Sequence, residues 1–274
     1  MFTADLNKLR YRTGLFFSLF SAFALILFYG NFTAAEKKND APQSAEQKSS
    51  KEKLHAVSHV VDGDTIVLNN AVTVRYIGVD TPETGEPFYN EAKNFNASLV
   101  LGVKVSIDVC EEEHLDKYGR TLAYVYVDNV CVNDELLKKG LARALSIPPC
   151  GIKKYNEYVK LEAQARAQGA GLWVDEKVIE ADNAKSVIGQ KASVRGKVLG
   201  VHRGKKAIFL NFGIDYKHDF TAVIFIKDLP NFTAFGINPL LTYSGKDVIV
   251  RGKVKEHNGP EIILLYPSNI EVLN

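Results

Sequence analysis

Cysteine is scarce in this chain. Only Cys110, Cys131 and Cys150 occur among 274 residues, at spacings that match no zinc or haem pattern. A thiolate-bound zinc or haem centre is therefore excluded, which leaves one disulfide plus a free thiol, or three buried thiols as the simpler expectation. Histidine and cysteine form no cluster, so a metal held by this chain would be bound through oxygen. Large apolar residues are almost missing from residues 31 to 53, a stretch of Ala, Lys, Glu, Gln and Ser that cannot bury enough surface to offset ordering entropy and reads as a flexible linker. No strong internal repeat relates the two halves of the chain.

What is present begins with Lys8, Arg10 and Arg12, followed by an uncharged, Phe- and Leu-rich run from Gly14 to Gly30. Its length falls between a signal-peptide core and a full membrane span, and Thr33-Ala34-Ala35 is a passable small-residue cleavage site. Residues 1 to 30 thus read as a cleaved export signal or a retained anchor. Both readings put the remainder outside the cytoplasm, secreted, periplasmic or tethered to the membrane through residues 14 to 30. The rest divides by charge. Residues 54 to 176 carry 12 basic against 18 acidic side chains, a net of minus 6, whereas residues 177 to 274 carry 14 against 9, a net of plus 5. The basic half is the better holder of a polyanion.

Periodicity predicts strands at 54 to 61, 65 to 69 and 72 to 79, then a helix over 88 to 101 with Phe88, Ala92, Phe95 and Leu99 as its apolar stripe, then strands at 103 to 110 and 121 to 127. Three strands, a helix and two strands is the OB-fold order, a small Greek-key barrel. Two further helices are expected, one capped by Asn133 and stopping at Gly140, one from about Ile152 to Gln168 before Gly169 and Gly171. The same strand order returns at 192 to 201, 206 to 212, 220 to 227, 246 to 254 and 260 to 265, with a helical or irregular link near 231 to 242. The fold class is α+β, mainly β: a five-stranded barrel with three helices over 54 to 176, followed by a second OB-like barrel over 185 to 274.

Three polar strings lie inside the first barrel: Asp62-Gly63-Asp64-Thr65, Arg75 to Asp80-Thr81-Pro82-Glu83, and Asp116-Lys117-Tyr118-Gly119-Arg120. Asp62 and Asp64 stand two apart, so extended chain points both carboxylates to one side. Arg75 and Asp80 have opposite strand parity and need a bend to meet, for which Gly78 is the natural place. Gly119 lets the backbone turn before Arg120. Each string alone is commonly a solvated turn. Together they offer acids for a hard cation and guanidinium forks for a phosphate.

In order and approximate spacing these strings, with Leu122-Ala123-Tyr124, make the region from Leu54 to Trp173 resemble staphylococcal nuclease and the wider thermonuclease family. The resemblance implies a nuclease that cuts DNA and RNA and leaves 3′-phosphates. It implies Ca²⁺ as cofactor, with Asp64, Asp80 and the carbonyl of Thr81 as ligands. It assigns Glu83 to the attacking water, Arg75 and Arg120 to the scissile phosphate, and Lys117 and Tyr118 to the substrate phosphate's surroundings. Where the family offers tyrosines close to the base, this chain reads Arg143-Ala144-Leu145-Ser146-Ile147-Pro148-Pro149-Cys150, and its Thr84–Tyr89 loop is shorter. A barrel of this type also occurs as a non-catalytic module that binds nucleic acid or protein, but such modules have lost the acids and arginines present here.

In the second barrel Arg203, Lys205 and Lys206 mark the first hairpin and Phe209 lies on the next strand, opposite in face to Ile208, Leu210 and Phe212. Basic grooves with aromatic platforms bind single strands in OB-folds, so these four are candidate nucleic-acid contacts; a protein contact or purely structural support is the other reading. The expected partner is DNA, RNA or both, and no protein partner is evident.

Overall fold

The computed structural model describes residues 53–273; the apolar segment at 14 to 30 and the linker up to residue 52 lie outside the described residues. Among the described residues no helix is long and apolar enough to cross a membrane. Strands β1 (His55–Asp62), β2 (Thr65–Leu68) and β3 (Thr73–Tyr76) form a meander whose inward residues Ile66, Leu68, Val74 and Tyr76 are fully covered. Next come β4 (Val79–Asp80), α1 (Tyr89–Val100), β5 (Lys104–Val109), β6 (Thr121–Val127), β7 (Val130–Cys131), α2 (Val132–Lys138), β8 (Arg143–Ala144) and α3 (Tyr155–Ala167). The sheet runs β3-β2-β1-β5-β6-β7, and parallel pairing of β3 with β6 closes five of these strands into a barrel.

The C-terminal elements are β9 (Val178–Glu180), β10 (Lys191–Lys197), β11 (Gly200–Arg203), β12 (Ala207–Asn211), β13 (Thr221–Phe225), α4 (Pro230–Thr233), α5 (Pro239–Thr242), β14 (Asp247–Glu256), β15 (Pro260–Ile263) and β16 (Ile270–Val272). Their sheet order is β11-β12-β13-β15-β14-β10-β9. Because β10 and β11 follow one another in the chain yet sit far apart in that order, the sheet curls towards closure, in the same cyclic strand order as the first barrel. Ile208, Leu210 and Phe212 turn into a separate core with Val194, Ile224 and Ile262, while Phe209 stays half-buried on the opposite face.

Four expectations are corrected. The third strand stops at Tyr76 instead of reaching residue 79, because a turn at Ile77-Gly78 breaks it before β4. The buried stripe of α1 is Ala92, Asn96 and Val100, with Phe88, Phe95 and Leu99 only partly covered. Asn133 caps nothing: it lies inside α2, fully buried, because its amide serves two buried backbone groups, accepting from Val125 N–H (3.1 Å) and donating to the Ile77 carbonyl (2.8 Å). The thiols are not three, since Cys110 and Cys150 form a disulfide and only Cys131 is free and buried. The barrel brings the end of β5 against the chain entering α3, a proximity that spacing cannot show.

A buried ion network seats the second sheet on the first barrel's last helix. Arg251 on β14 holds Glu176 (3.0 Å) and Glu271 on β16 (2.9 Å), and Arg166 on α3 pairs with Glu162 (3.0 Å) and with the same Glu271. The charges nearly balance, as burial of ions demands.

The disulfide closes a loop with a sequence separation of 40 residues, for which chain entropy gives about 4 kcal/mol. Replacing Cys110 and Cys150 together by Ser is expected to lower the unfolding free energy by roughly that amount in urea titrations, and an unshifted midpoint would contradict it.

Candidate active site

Asp62 pairs with Thr65 across a two-residue turn made by Gly63 and Asp64. The two carboxylates are therefore not on one side of an extended strand; the Asp64 N–H donates to Asp62 Oδ1 (3.1 Å) and tightens the turn. Glycine is required at 63 because the Thr81 side chain lies 2.7 Å from where a Cβ would stand. That close approach creates the first fixed contact. Thr81 donates to Asp64 Oδ2 from both its N–H (2.8 Å) and its Oγ1 (2.9 Å), while Asp64 Oδ1 accepts from Thr65 Oγ1 (3.2 Å) and faces Arg75 Nε at 3.2 Å.

Arg75 links this turn to Asp80. Its Nη1 donates to the carbonyls of Tyr76 (2.6 Å) and Val79 (2.8 Å), spanning the Ile77-Gly78 turn, and its Nη2 stands 3.6 Å from Asp80 Oδ1. Gly78 takes φ +80°, and the Tyr158 ring lies 2.5 Å from the place of its missing Cβ, so this bend admits only glycine. The expected kink is present, and it reconciles the opposite strand parities of Arg75 and Asp80. Burial raises the pKa of Asp62, reinforced by the charge on Asp64. Asp80 keeps half of its side-chain surface open, yet the partial burial of its carboxyl pushes the pKa up; Arg75 opposes the shift and Asp64 adds to it. The cluster holds more negative charge than its one bridging arginine neutralises.

Each of the three long helices sends one buried polar side chain to the backbone behind this cluster. Asn96 of α1 donates to the Asp62 carbonyl (3.1 Å) while accepting from the Tyr76 hydroxyl (2.8 Å). Asn133 of α2 holds the Ile77 carbonyl at the bend. Glu162 of α3 accepts from Ala144 N–H (2.6 Å) on β8, the strand that pairs with β4 so that Arg143 faces Asp80. None of the three was singled out from the sequence as a support for the site, because their partners lie 18 to 56 residues away.

A second group forms on the hairpin before β6. Asp116 Oδ2 receives Arg120 Nε and Nη2, both at 2.7 Å, and Asp116 Oδ1 receives the N–H groups of Tyr118 (2.9 Å) and Arg120 (3.0 Å). Gly119 makes the turn with φ +79°. Tyr118 is 71% exposed, with Lys117 Nζ 4.9 Å and Arg120 Cζ 5.4 Å from its ring centre. Arg120 stands two residues before Leu122, the register partner of Arg75, so the barrel's closing pair brings the two arginine positions to within about 8 Å along the ladder. Glu83 is exposed on the loop after β4, close enough for its charge to raise the Asp80 pKa.

The C-terminal sheet reaches this region through residues the sequence did not single out. Lys191 pairs with Glu86, the Ser268 N–H donates to Ser146 Oγ (3.3 Å), and the Tyr266 hydroxyl is raised by burial first, by Asp228 next, and then feels Lys117 and Asp80. Arg203, Lys205 and Lys206 are exposed at the β11–β12 hairpin. Among the described contacts none joins them or Phe209 to the acid cluster.

Acids and guanidinium groups gathered at one side of a closed five-stranded barrel define a nuclease-type barrel domain. The family description "Staphylococcal nuclease homologue" matches residues 73–175. Endonuclease YncB of Bacillus subtilis (strain 168) is 37% identical over 153 residues, covering 52% of this chain and 71% of that protein. The thermonuclease of Staphylococcus intermedius is 35% identical over 165 residues, covering 57% of this chain and 92% of that protein. The SPbeta prophage-derived endonuclease YokF of Bacillus subtilis (strain 168) is 37% identical over 126 residues, and the match spans only 43% of either chain. The chain belongs to the staphylococcal nuclease homologue family.

Arg75 and Arg120 differ in how the fold uses them. Arg75 is 13% exposed and ties buried Asp64, whereas Arg120 is 30% exposed and pairs within its own hairpin. Arg75→Ala is expected to cost about 3–5 kcal/mol of stability by leaving a buried carboxylate unpaired, and Arg120→Ala no more than about 1 kcal/mol. Equal losses in thermal or denaturant unfolding would contradict this division.

Proposed function

We propose that the chain is an exported, Ca²⁺-dependent nuclease that hydrolyses phosphodiester bonds of DNA, RNA or both, with the second barrel aiding substrate capture. The observation that carries the reading is the convergence of Asp64 and Asp80 on Arg75 in a cluster short of positive charge. Asp64, Asp80 and the Thr81 carbonyl would hold the cation, and Asp62 stands beside them; an all-oxygen donor set of this kind fits Ca²⁺. When bound, the ion would supply charge neutralisation and Lewis-acid polarisation of a phosphate oxygen.

The remaining steps fall to the chain's own side chains. Glu83, free of any described side-chain partner, orients a water and accepts its proton. Arg120, its plane fixed by Asp116 through Nε and Nη2, offers the Nη1 N–H groups to the phosphate. Arg75 contributes Nη2, its least engaged nitrogen, to the same charge. Both guanidinium groups favour the transition state over the ground state because charge grows on the phosphoryl oxygens as the water attacks. Lys117 and Tyr118 line the approach. The N-terminal segment would direct the chain out of the cytoplasm, either cleaved or retained as an anchor.

Hydrolysis of single-stranded DNA followed with Ca²⁺ and then with excess chelator tests the metal: cutting is expected to stop in chelator, and undiminished cutting rejects it. Glu83→Gln is expected to lower kcat by about 10²-fold or more, and Arg120→Ala by about 10²–10³-fold; full activity in the doubly substituted protein rejects the site. The exposed hairpin is tested in the whole protein. Replacing Arg203, Lys205 and Lys206 by Ala is expected to raise KM and to flatten the slope of log KM against log salt by about 2, and an unaltered slope places substrate elsewhere.

A further inference from the structure

We infer that Lys191, at the start of the second barrel's β10, is a positioning residue for the loop that presents Glu83. The inference rests on the nuclease reading above. Between buried Pro82 and core-packed Phe88, the tip of the loop joining β4 to α1 has little apolar support, since Glu83, Thr84, Gly85 and Pro87 are all exposed and nothing stands within 4 Å of where a Gly85 Cβ would be. Polar ties have to fix it. Glu86 supplies them: its N–H donates to the Glu83 carbonyl (2.9 Å), and its Oε2 accepts from the Glu83 N–H (3.2 Å). A carboxylate on so short a turn could rotate away, but its other oxygen, Oε1, is taken by Lys191 Nζ, 105 residues further along.

Lys191 comes from a firm base. Its strand pairs with β14 from the Lys191–Lys253 register onward, and the preceding Gly189 N–H donates to the Val254 carbonyl (2.8 Å). The chain of contacts therefore runs from a strand of the second barrel, through Glu86, to the backbone of the residue assigned to the attacking water. A misplacement of that carboxylate by a fraction of an ångström affects the reaction step more than substrate binding. The second barrel thus acts on the first through a placed ammonium group, in addition to any grip on nucleic acid.

The test is steady-state cleavage of a single-stranded oligonucleotide by the full chain, combined with amide hydrogen exchange across residues 83 to 88. Lys191→Met is expected to lower kcat about five-fold, equivalent to about 1 kcal/mol for an exposed ion pair at 1.4 kcal/mol per decade, with KM little changed and exchange at the loop faster. Lys191→Arg should restore most of the rate. Glu86→Gln should reproduce the loss, and the double substitution should be no worse than either alone. A raised KM with unchanged kcat marks Lys191 as a substrate grip and overturns the positioning role, as does an exchange rate at Glu83 and Glu86 that Lys191→Met leaves unmoved. Normal cleavage with unaltered Lys191→Met kinetics overturns the role alone; absence of cleavage in the unsubstituted chain overturns the nuclease reading and the role with it.

Discussion

A guanidinium group has five N–H donors in a rigid plane, and Arg75 uses that plane to join parts of the chain that would otherwise repel or diverge. Asp64 and Asp80 are both acids, separated in the chain by β2, β3 and the turns that follow them, and two ionised carboxylates repel unless a cation lies between them. Arg75 supplies it from within, through Nε to Asp64 and Nη2 towards Asp80, while Nη1 binds the carbonyls on either side of the Gly78 bend. One residue thus sets the turn geometry and the spacing of the acids. Lysine, with a single point of charge, could not meet four acceptors at once.

That arrangement is held from behind. Asn96, Asn133 and Glu162 come from three different helices; the first two satisfy backbone groups on segments that carry site residues, and Glu162 one on β8, which pairs with the Asp80 strand. Burying polar side chains is costly unless every group is paired, so these three tie the helices to the barrel in one register. Through Glu162 the support extends to Arg166, Arg251 and Glu271, and so to the second sheet. The C-terminal sheet therefore leans on the site's supports as well as following them in the chain.

The strand order of the first barrel, the Gly78 bend and the Gly119 turn were legible in the sequence because each leaves a local trace, in alternation or in glycine placement; in the C-terminal sheet the strand expected over 192 to 201 is two, β10 and β11. The acid and arginine strings were legible for the same reason. Local reasoning failed where a side chain serves a distant backbone. Asn133 looks like a helix cap from its neighbours and is a buried support because of Ile77 and Val125. Asn96 disrupts the apolar stripe expected for α1 because Tyr76 and Asp62 need it. Asp62 and Asp64 read as one strand face from their spacing, but the hairpin register ends β1 at Asp62 and puts Asp64 in the turn. The Cys110–Cys150 bond and the Lys191–Glu86 pair join positions 40 and 105 residues apart, which no periodicity records.

In the proposed function Asp64 and Asp80 share one cation beside Arg75. A crystal structure grown with Ca²⁺ tests it most directly. A single ion is expected with oxygens of both carboxylates at about 2.3–2.6 Å and Arg75 still beside them; an ion bound elsewhere, or one reaching only one of the two acids, would contradict it.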